Sequence, residues 1–527
     1  MKGYWIPVLH SHLPFVKHPE HEYFLEEQWL FEAISETYIP LLMKFQQLES
    51  EGVEFSLTTS VTPSLAEMLD DAHLMEKYLL HLDNLLILCQ KEVQRCEDDP
   101  VFGDISKFYL DRFSRVRDFF VGFLDYNVLN GYRYFASRGN LEIITCAATH
   151  GYLPLLSVNP QVVEAQISIA VETHKRHFGE KPRGIWLPEC AYYDGLDEYL
   201  AKYEIKFFMI DSHGLVYARP TPKYGVFAPI YTPNGVLAFG RDPESSKQVW
   251  SSKEGYPGDI DYRDFYRDIG FDLDYEYIKP HISPDGTRVF VGLKYHRVTG
   301  DADYKEVYIP ANADLKAKSH AENFHSNRLE QIERIALHMK ERVPAIVSPY
   351  DAELFGHWWF EGPDFLYYLL KEFDRNKEIK VITPMQYVAM FPQNQVCSPN
   401  PSSWGDRGYY DVWLNSANEW IYRHLHRMGD IMCQLATDYN HTDDHFVTRV
   451  LNQLSRELLL AQSSDWAFLM TTKTAVEYST KRTKEHISNF IKLNNFFKSK
   501  ELDEEFLSKL ESKNSIFRHI NFRSYAR

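Results

Sequence analysis

Acidic and imidazole side chains gather just past short apolar runs at several points of this chain. The run AIVS at 345–348 leads through Pro349 and Tyr350 to Asp351, then Glu353, Gly356, His357 and the pair Trp358 and Trp359. GIWLP at 184–188 ends in Glu189, and YWIPVL at 4–9 is followed by His10 and His12. LEIITCA at 141–147 runs on to His150, and KFFMI at 206–210 to Asp211 and His213. A single histidine after a strand is ordinarily a satisfied structural residue, and a single acid there is ordinarily a helix cap or ion-pair partner. The H-x-H spacing differs, because alternate residues of a strand face the same way. Two chemistries use such a set. Paired carboxyls about 5–5.5 Å apart can cleave a glycosidic bond, one attacking the anomeric carbon while the other protonates the leaving oxygen. Their surroundings must push the two pKa values apart, which apolar walls do by disfavouring charge. H-x-H with a later histidine and a late aspartate equally suits a divalent metal that assists hydrolysis. Spacing alone leaves both open.

Elements that could bring these residues together follow from the periodicity. Short apolar runs at 4–9, 55–60, 141–147, 184–188, 206–211, 345–350 and 379–384 predict strands. Helical apolar spacing at 26–50, 160–179 and 315–341 predicts helices between them. Pro40 is expected to kink the first of these helices. Alternating strands and helices predict a parallel sheet covered on both sides, closed or nearly closed into a barrel. In such barrels the active site lies at the C-terminal strand ends, where the polar residues above sit. Two long amphipathic stretches between 71 and 139 predict an inserted helical hairpin. The Gly-, Pro-, Tyr- and Asp-rich interval 212–312 breaks the alternation and is expected to form long loops. After PNPSSWGDRG at 399–408 the chain is expected to be almost wholly helical. The expected division is a discontinuous barrel domain of residues 1–70 and 140–400, the insertion 71–139, and a helical domain 401–527.

Composition narrows the partners. With 57 basic against 74 acidic residues the net charge is -17, which argues against nucleic acid. Aromatic residues make up 15% of the chain, flat surface suited to cores and to sugar rings. The six cysteines form no C-x-x-C pair, and no secretory leader or membrane-spanning run is evident. A cytoplasmic protein with neither disulfides nor a membrane partner is expected.

Taken together, HSHLP (10–14), ATHGYLP (148–154), IWLPE (185–189), YDAELFGHWW (350–359) and LAQSSDWAFLM (460–470) resemble glycoside hydrolase family 57, in particular its branching-enzyme-like members. The resemblance spans almost the full chain. It implies an α/β fold, a (β/α)7 barrel with a helical insertion and a C-terminal helical domain. It also implies a retaining enzyme acting on α-glucan, without metal or other cofactor. Glu189 would be the nucleophile and Asp351 the general acid/base, with His10, His12 and His150 bonding the sugar. Arg241 and Gly258 resemble substrate-contacting loop positions, and Trp404 and Asp465 resemble glucan contacts from the helical part. Trp250 and Trp413 are further stacking candidates, and Tyr224 and Tyr231 are candidates for a tyrosine-bearing loop over the site. Glu353 reads as a support, and Trp186, Trp358 and Trp359 as apolar packing. The expected reaction is 1,4-α-glucan branching with appreciable hydrolysis. The alternatives are an α-amylase or 4-α-glucanotransferase of the same family and, remotely, a metal-dependent deacetylase or amidohydrolase, or a non-catalytic glucan-binding protein. The interval from Glu189 to Arg241 is short for a long-loop member, which weighs against transfer.

Overall fold

Among the described residues nine strands are formed: β1 (Gly3–Ser11), β2 (Leu57–Val61), β3 (Leu141–Ile144), β4 (Gly184–Ile185), β5 (Phe207–Ile210), β6 (Ile230–Tyr231), β7 (Leu237–Gly240), β8 (Ala345–Asp351) and β9 (Ile379–Val381). The computed structural model describes every residue except Ser252, Lys253, Asp301, Asp303, Lys500 and Leu502. β1 pairs with β2 on one side and β8 on the other, β2 with β3, β4 with β5, and β5 with β7, all parallel. A bridge between Thr145 and Ile185 carries the sheet from β3 to β4. The Asp242 N–H donates to the Val347 carbonyl at 2.9 Å, joining the end of β7 to β8. Seven parallel strands thus close a (β/α)7 barrel. Short β6 runs antiparallel to β7, and β9 pairs only with the first residues of β1.

Alternation along each strand sorts the side chains. Tyr4, Ile6, Val8, Ile144, Trp186, Phe207, Met209, Phe239 and Val347 pack into one buried cluster, and the other face meets the helices. Parallel strands covered on both faces are near-continuous apolar runs, which is why they stand out in the sequence. β7 is the exception. It lies inside the interval expected to form loops, and its four residues sit between Gly235 and the helix Pro243–Trp250. That length is too short to separate from its flanking turn signals.

The first helical stretch also departs from expectation. Helices Glu27–Ala33 and Ile39–Ser50 are joined by a π-helical turn, Ile34–Tyr38, every residue of which is buried. Pro40 lacks the N–H that would bond back to the fourth preceding carbonyl. The irregularity expected at Pro40 therefore takes the form of a widened turn just before it. Further along, the helices Ala72–Arg95 and Gly103–Gly122 pack as a pair. Much of the interval expected to be loops is short helices and coil docked on that pair. Buried Glu92 accepts from the hydroxyls of Tyr277 (2.8 Å) and Tyr295 (3.0 Å). From Trp420 onward the helices Trp420–Asp438, His445–Ala461, Ser464–Thr472, Val476–Ser499 and Glu504–Lys513 follow one another. No described helix is long and apolar enough to cross a membrane. All six cysteines are buried and free.

Arg263 anchors the docked interval to the barrel. Its guanidinium lies 2.9 Å from Glu36 on the π-helical turn, with both groups buried. Burial alone would raise the Glu36 pKa, but Arg263, His357 and Lys294 together outweigh it and hold the carboxyl well below the usual range. Breaking a buried pair by removing one partner strands the other charge. Arg263→Met should therefore lower the unfolding free energy at pH 7 by about 3–5 kcal/mol, read from urea denaturation.

Candidate active site

The strand ends converge as barrel geometry requires. His10 stands opposite Ser60 on β2 and opposite Asp351 on β8. Its ring stacks on Trp186 at 4.4 Å, and its Nε2 lies 3.1 Å from Nε2 of His150. His10 Nδ1 is 3.1 Å from the Ser60 hydroxyl, and His150 Nδ1 is 2.8 Å from that of Ser464. Burial and the neighbouring imidazoles push the pKa of His10 far down, and burial with His12 does the same to His150. Both rings are therefore neutral, and one donates to the other.

His12 behaves oppositely. Its Nε2 is 3.0 Å from Asp465 and its Nδ1 3.1 Å from the Thr62 hydroxyl. Burial lowers the His12 pKa, but Asp465 more than offsets this and leaves it raised. Asp465 is likewise held well below its usual range, His12 outweighing burial. The Ser463–Asp465 turn docks here through its backbone as well, because the Ser464 N–H donates to the His150 carbonyl at 3.1 Å. His150 is in the left-handed region at φ 55°.

Glu189 also has a left-handed backbone, φ 61° and ψ 24°, within the turn Pro188–Cys190 that follows β4. Such a conformation is costly for a residue with a Cβ and persists only where the surroundings hold it. Trp404 supplies the hold twice. Its backbone N–H donates to the Glu189 carbonyl at 3.0 Å, and its indole Nε1–H donates to Oε2 at 2.7 Å. Oε1 is left facing the cleft, 3.8 Å from His150 Nδ1. Burial pushes the Glu189 pKa up to about 7, with Trp404 and His12 pulling down and Asp465 pushing up.

Asp351 ends β8. Among the described residues no side chain hydrogen-bonds its carboxyl. Burial and the charges of Glu353 and Glu189 push its pKa well above the carboxylate range, and Arg241 opposes them in part. Arg241 follows β7, donates to Asp211 at 3.3 Å and lies over the Trp404 ring at 5.3 Å. Asp211 also accepts from His213 Nδ1 at 3.1 Å, and His213 Nε2 donates to the Gly408 carbonyl at 2.7 Å.

Glu189, Asp351, His10, His12, His150, Arg241, Trp404 and Asp465 thus gather in one cleft. Other candidates lie elsewhere. Trp413 is 1% exposed and stacked on Tyr152, so it offers no face to a ligand. Trp250 is half-exposed at the end of the helix that packs on β8, and Gly258 ends an exposed turn. No described contact joins either of them to the two carboxyls. Tyr231 pairs with Leu237 at the start of β7, and Tyr224 packs near Ile335 and Met339 ahead of β8. Both tyrosines lie at the N-terminal strand ends, opposite the cleft. The 218–235 stretch descends from β5 to begin β7, so it cannot cover the site. Trp186 and Trp359 are buried, as expected, while Trp358 is half-exposed and stacked on Phe265 at 4.6 Å. Ser60, Thr62 and Ser464, which bond the three histidines, went unremarked because hydroxyl residues at strand and helix ends are too common to signal a site.

Two sets of described residues bring three ligand-type atoms within 4.8 Å: His10, Cys146 and His150, and His12, His150 and Asp465. Their ring nitrogens are already committed to Ser60, Thr62, Ser464, Asp465 and each other. A cation would have to break those bonds to enter.

Residues 6–399 match the glycosyl hydrolase family 57 domain, and residues 424–525 match the C-terminal domain of 1,4-alpha-glucan branching enzymes. The chain belongs to glycosyl hydrolase family 57. Among family 57 relatives, the 1,4-alpha-glucan branching enzyme of Thermococcus kodakarensis is 33% identical over 99% of this chain and 78% of its own. The crystal structure of the α-amylase AmyC from Thermotoga maritima superposes with a TM-score of 0.94 at 47% identity, covering 100% and 99% of the two chains. That of the family 57 branching enzyme from Pyrococcus horikoshii gives 0.88 at 34%, covering 100% and 97%.

The Trp404 indole donates to the Glu189 carboxyl at 2.7 Å, and with the weaker bond from Ser464 it favours the charged form. Trp404→Phe should raise the Glu189 titration from near 7 by about one unit or more. Infrared difference titration against Glu189→Gln reads that shift without any substrate.

Proposed function

We propose that this protein is a 1,4-α-glucan branching enzyme that works by double displacement, with Glu189 as nucleophile and Asp351 as general acid/base. The observation that carries this reading is the separation of the two carboxyls by environment. Trp404 stabilises the anion of Glu189, whereas no described side chain bonds the carboxyl of Asp351, which burial and the charges of Glu353 and Glu189 push well above the carboxylate range. Two carboxyls with pKa values driven apart divide into an ionised attacker and a protonated donor. Glu189 Oε1 attacks the anomeric carbon as Asp351 gives its proton to the departing 4-oxygen, leaving a glycosyl ester on Glu189. A 6-hydroxyl of another chain then attacks that carbon, returns a proton to Asp351 and frees Glu189. The product is an α-1,6 branch, and water in place of the acceptor gives hydrolysis. His10, His12, His150, Asp465, Arg241 and Trp404 are assigned to binding the sugar at the cleavage point, with neutral His10 and His150 able both to donate and to accept.

Branching is favoured over other family activities by the full-length likeness to the Thermococcus kodakarensis branching enzyme and the match of residues 424–525. A second reading, hydrolysis as an α-amylase, is favoured by the likeness to AmyC and by Tyr224 and Tyr231 lying away from the cleft. We assign residues 1–70 and 140–400 to the catalytic unit, 71–139 to a helical insertion, and 401–527 to a helical unit that closes the groove. The buried free cysteines suit a reducing compartment, and we assign the enzyme to the cytoplasm.

Proton NMR of amylose after incubation separates the readings. New α-1,6 signals are expected, with a smaller rise in reducing ends. A rise in reducing ends alone would make the protein an amylase. Glu189→Gln should lower either activity more than about a thousandfold, while EDTA should leave it unchanged.

A further inference from the structure

Three consecutive residues of the π-helical turn reach the segment that carries Asp351. Glu36 Oε2 lies 3.1 Å from His357 Nδ1, and Thr37 Oγ1 accepts from the His357 N–H at 3.1 Å. The Tyr38 hydroxyl donates to Glu353 Oε1 at 2.5 Å. The approach is close enough to need a glycine. A Cβ on Gly356, whose φ is +127°, would stand 1.9 Å from the Glu36 carbonyl oxygen. In a regular α-helix the extra residue of the turn would be absent, and the three side chains would not share this face.

Glu353 receives a second bond at the same oxygen. The His12 backbone N–H donates to Oε1 at 3.0 Å, so Glu353 bridges the helix after β1 and the end of β1 itself. Two donors converging on one oxygen favour the charged form of the Glu353 carboxyl, against burial, which pushes its pKa up. Other ionisable groups facing it are the His12 imidazole, Asp351 and the Tyr132 hydroxyl. Glu353 lies two residues beyond Asp351 across the turn Ala352–Leu354.

We propose that Tyr38 is a positioning residue. With the His12 amide, its hydroxyl pins a charged Glu353 beside Asp351, and that charge keeps the proton on Asp351. This rests on the reading of Asp351 as general acid. Tyr38 itself does not line the cleft, being fully buried, and acts only through Glu353. Burial first, then the charge of Glu353, push the proton onto Asp351 more strongly than Glu189 does. Tyr38→Phe removes one donor from the Glu353 anion, so Glu353 takes up a proton at higher pH than before. The repulsion holding the proton on Asp351 then weakens, and Asp351 ionises at lower pH.

The test is the pH dependence of kcat/KM on amylose, with an infrared titration of Asp351 measured against Asp351→Asn. Tyr38→Phe should move the alkaline limb and the Asp351 titration together toward acid by about one pH unit, leaving the Glu189 titration near 7 as an internal check that the site is intact. Glu353→Gln should move them at least as far. Adding Tyr38→Phe to Glu353→Gln should move them no further. An Asp351 titration unmoved in Tyr38→Phe, or moved equally in the Glu353→Gln background, overturns the proposal. If the titration moves while the alkaline limb stays, the positioning stands and the assignment of Asp351 as the acid falls.

Discussion

Four carboxyl groups, those of Glu189, Asp351, Glu353 and Asp465, share one poorly solvated pocket, and like charges at such range cannot all be ionised at equal cost. The donors around them decide the order. Asp465 has the His12 imidazole, Glu353 has the Tyr38 hydroxyl and the His12 amide, and Glu189 has the Trp404 indole. Asp351 has no directed side-chain bond among the described residues and feels Arg241 through space. A graded set results, from Asp465, held well below the carboxylate range, to Asp351, pushed well above it. The two roles proposed for Glu189 and Asp351 are thus told apart by their surroundings alone.

That gradation depends on parts of the chain far apart in sequence. The donors to three of these acids, Asp465, Glu353 and Glu189, come from the end of β1, the π-helical turn, the stretch after residue 400, and the turn that begins Ser464–Thr472. The barrel alone would leave His12 and His150 facing solvent on one side. Docking of Ser463–Asp465 supplies the partner that holds His12 partly charged, and it orients His150 through the Ser464 hydroxyl. Neutral His10 and His150 then form a short chain from Ser60 to Ser464, backed by the Trp186 ring. An imidazole pair of this kind can turn its donors and acceptors to suit hydroxyl groups, which a charged pair could not.

Two residues of the cleft carry backbone strain. Glu189 and His150 both adopt left-handed backbone conformations, and each is tied by a backbone bond to the C-terminal part of the chain, Glu189 to Trp404 and His150 to Ser464. The conformations that aim these side chains into the cleft are thus maintained by the same contacts that complete it. A loosened C-terminal region would relax both.

The amino-acid sequence by itself determined the barrel class, six of the seven barrel strands, the helical insertion and the catalytic carboxyl pair as candidates. Apolar runs and strand-end polar residues are local patterns, and parallel strands buried on both faces write them strongly. It left β7 hidden, because four residues between turn signals carry no periodicity, and it assigned Tyr224, Tyr231 and Trp413 to a site that they do not reach. Only the tertiary structure decided which acids are pushed toward the protonated form, which histidine is pulled toward the charged form and what Tyr38 touches. Those properties are sums of burial and charge over residues hundreds of positions apart, and nothing in the local order of side chains encodes such distances.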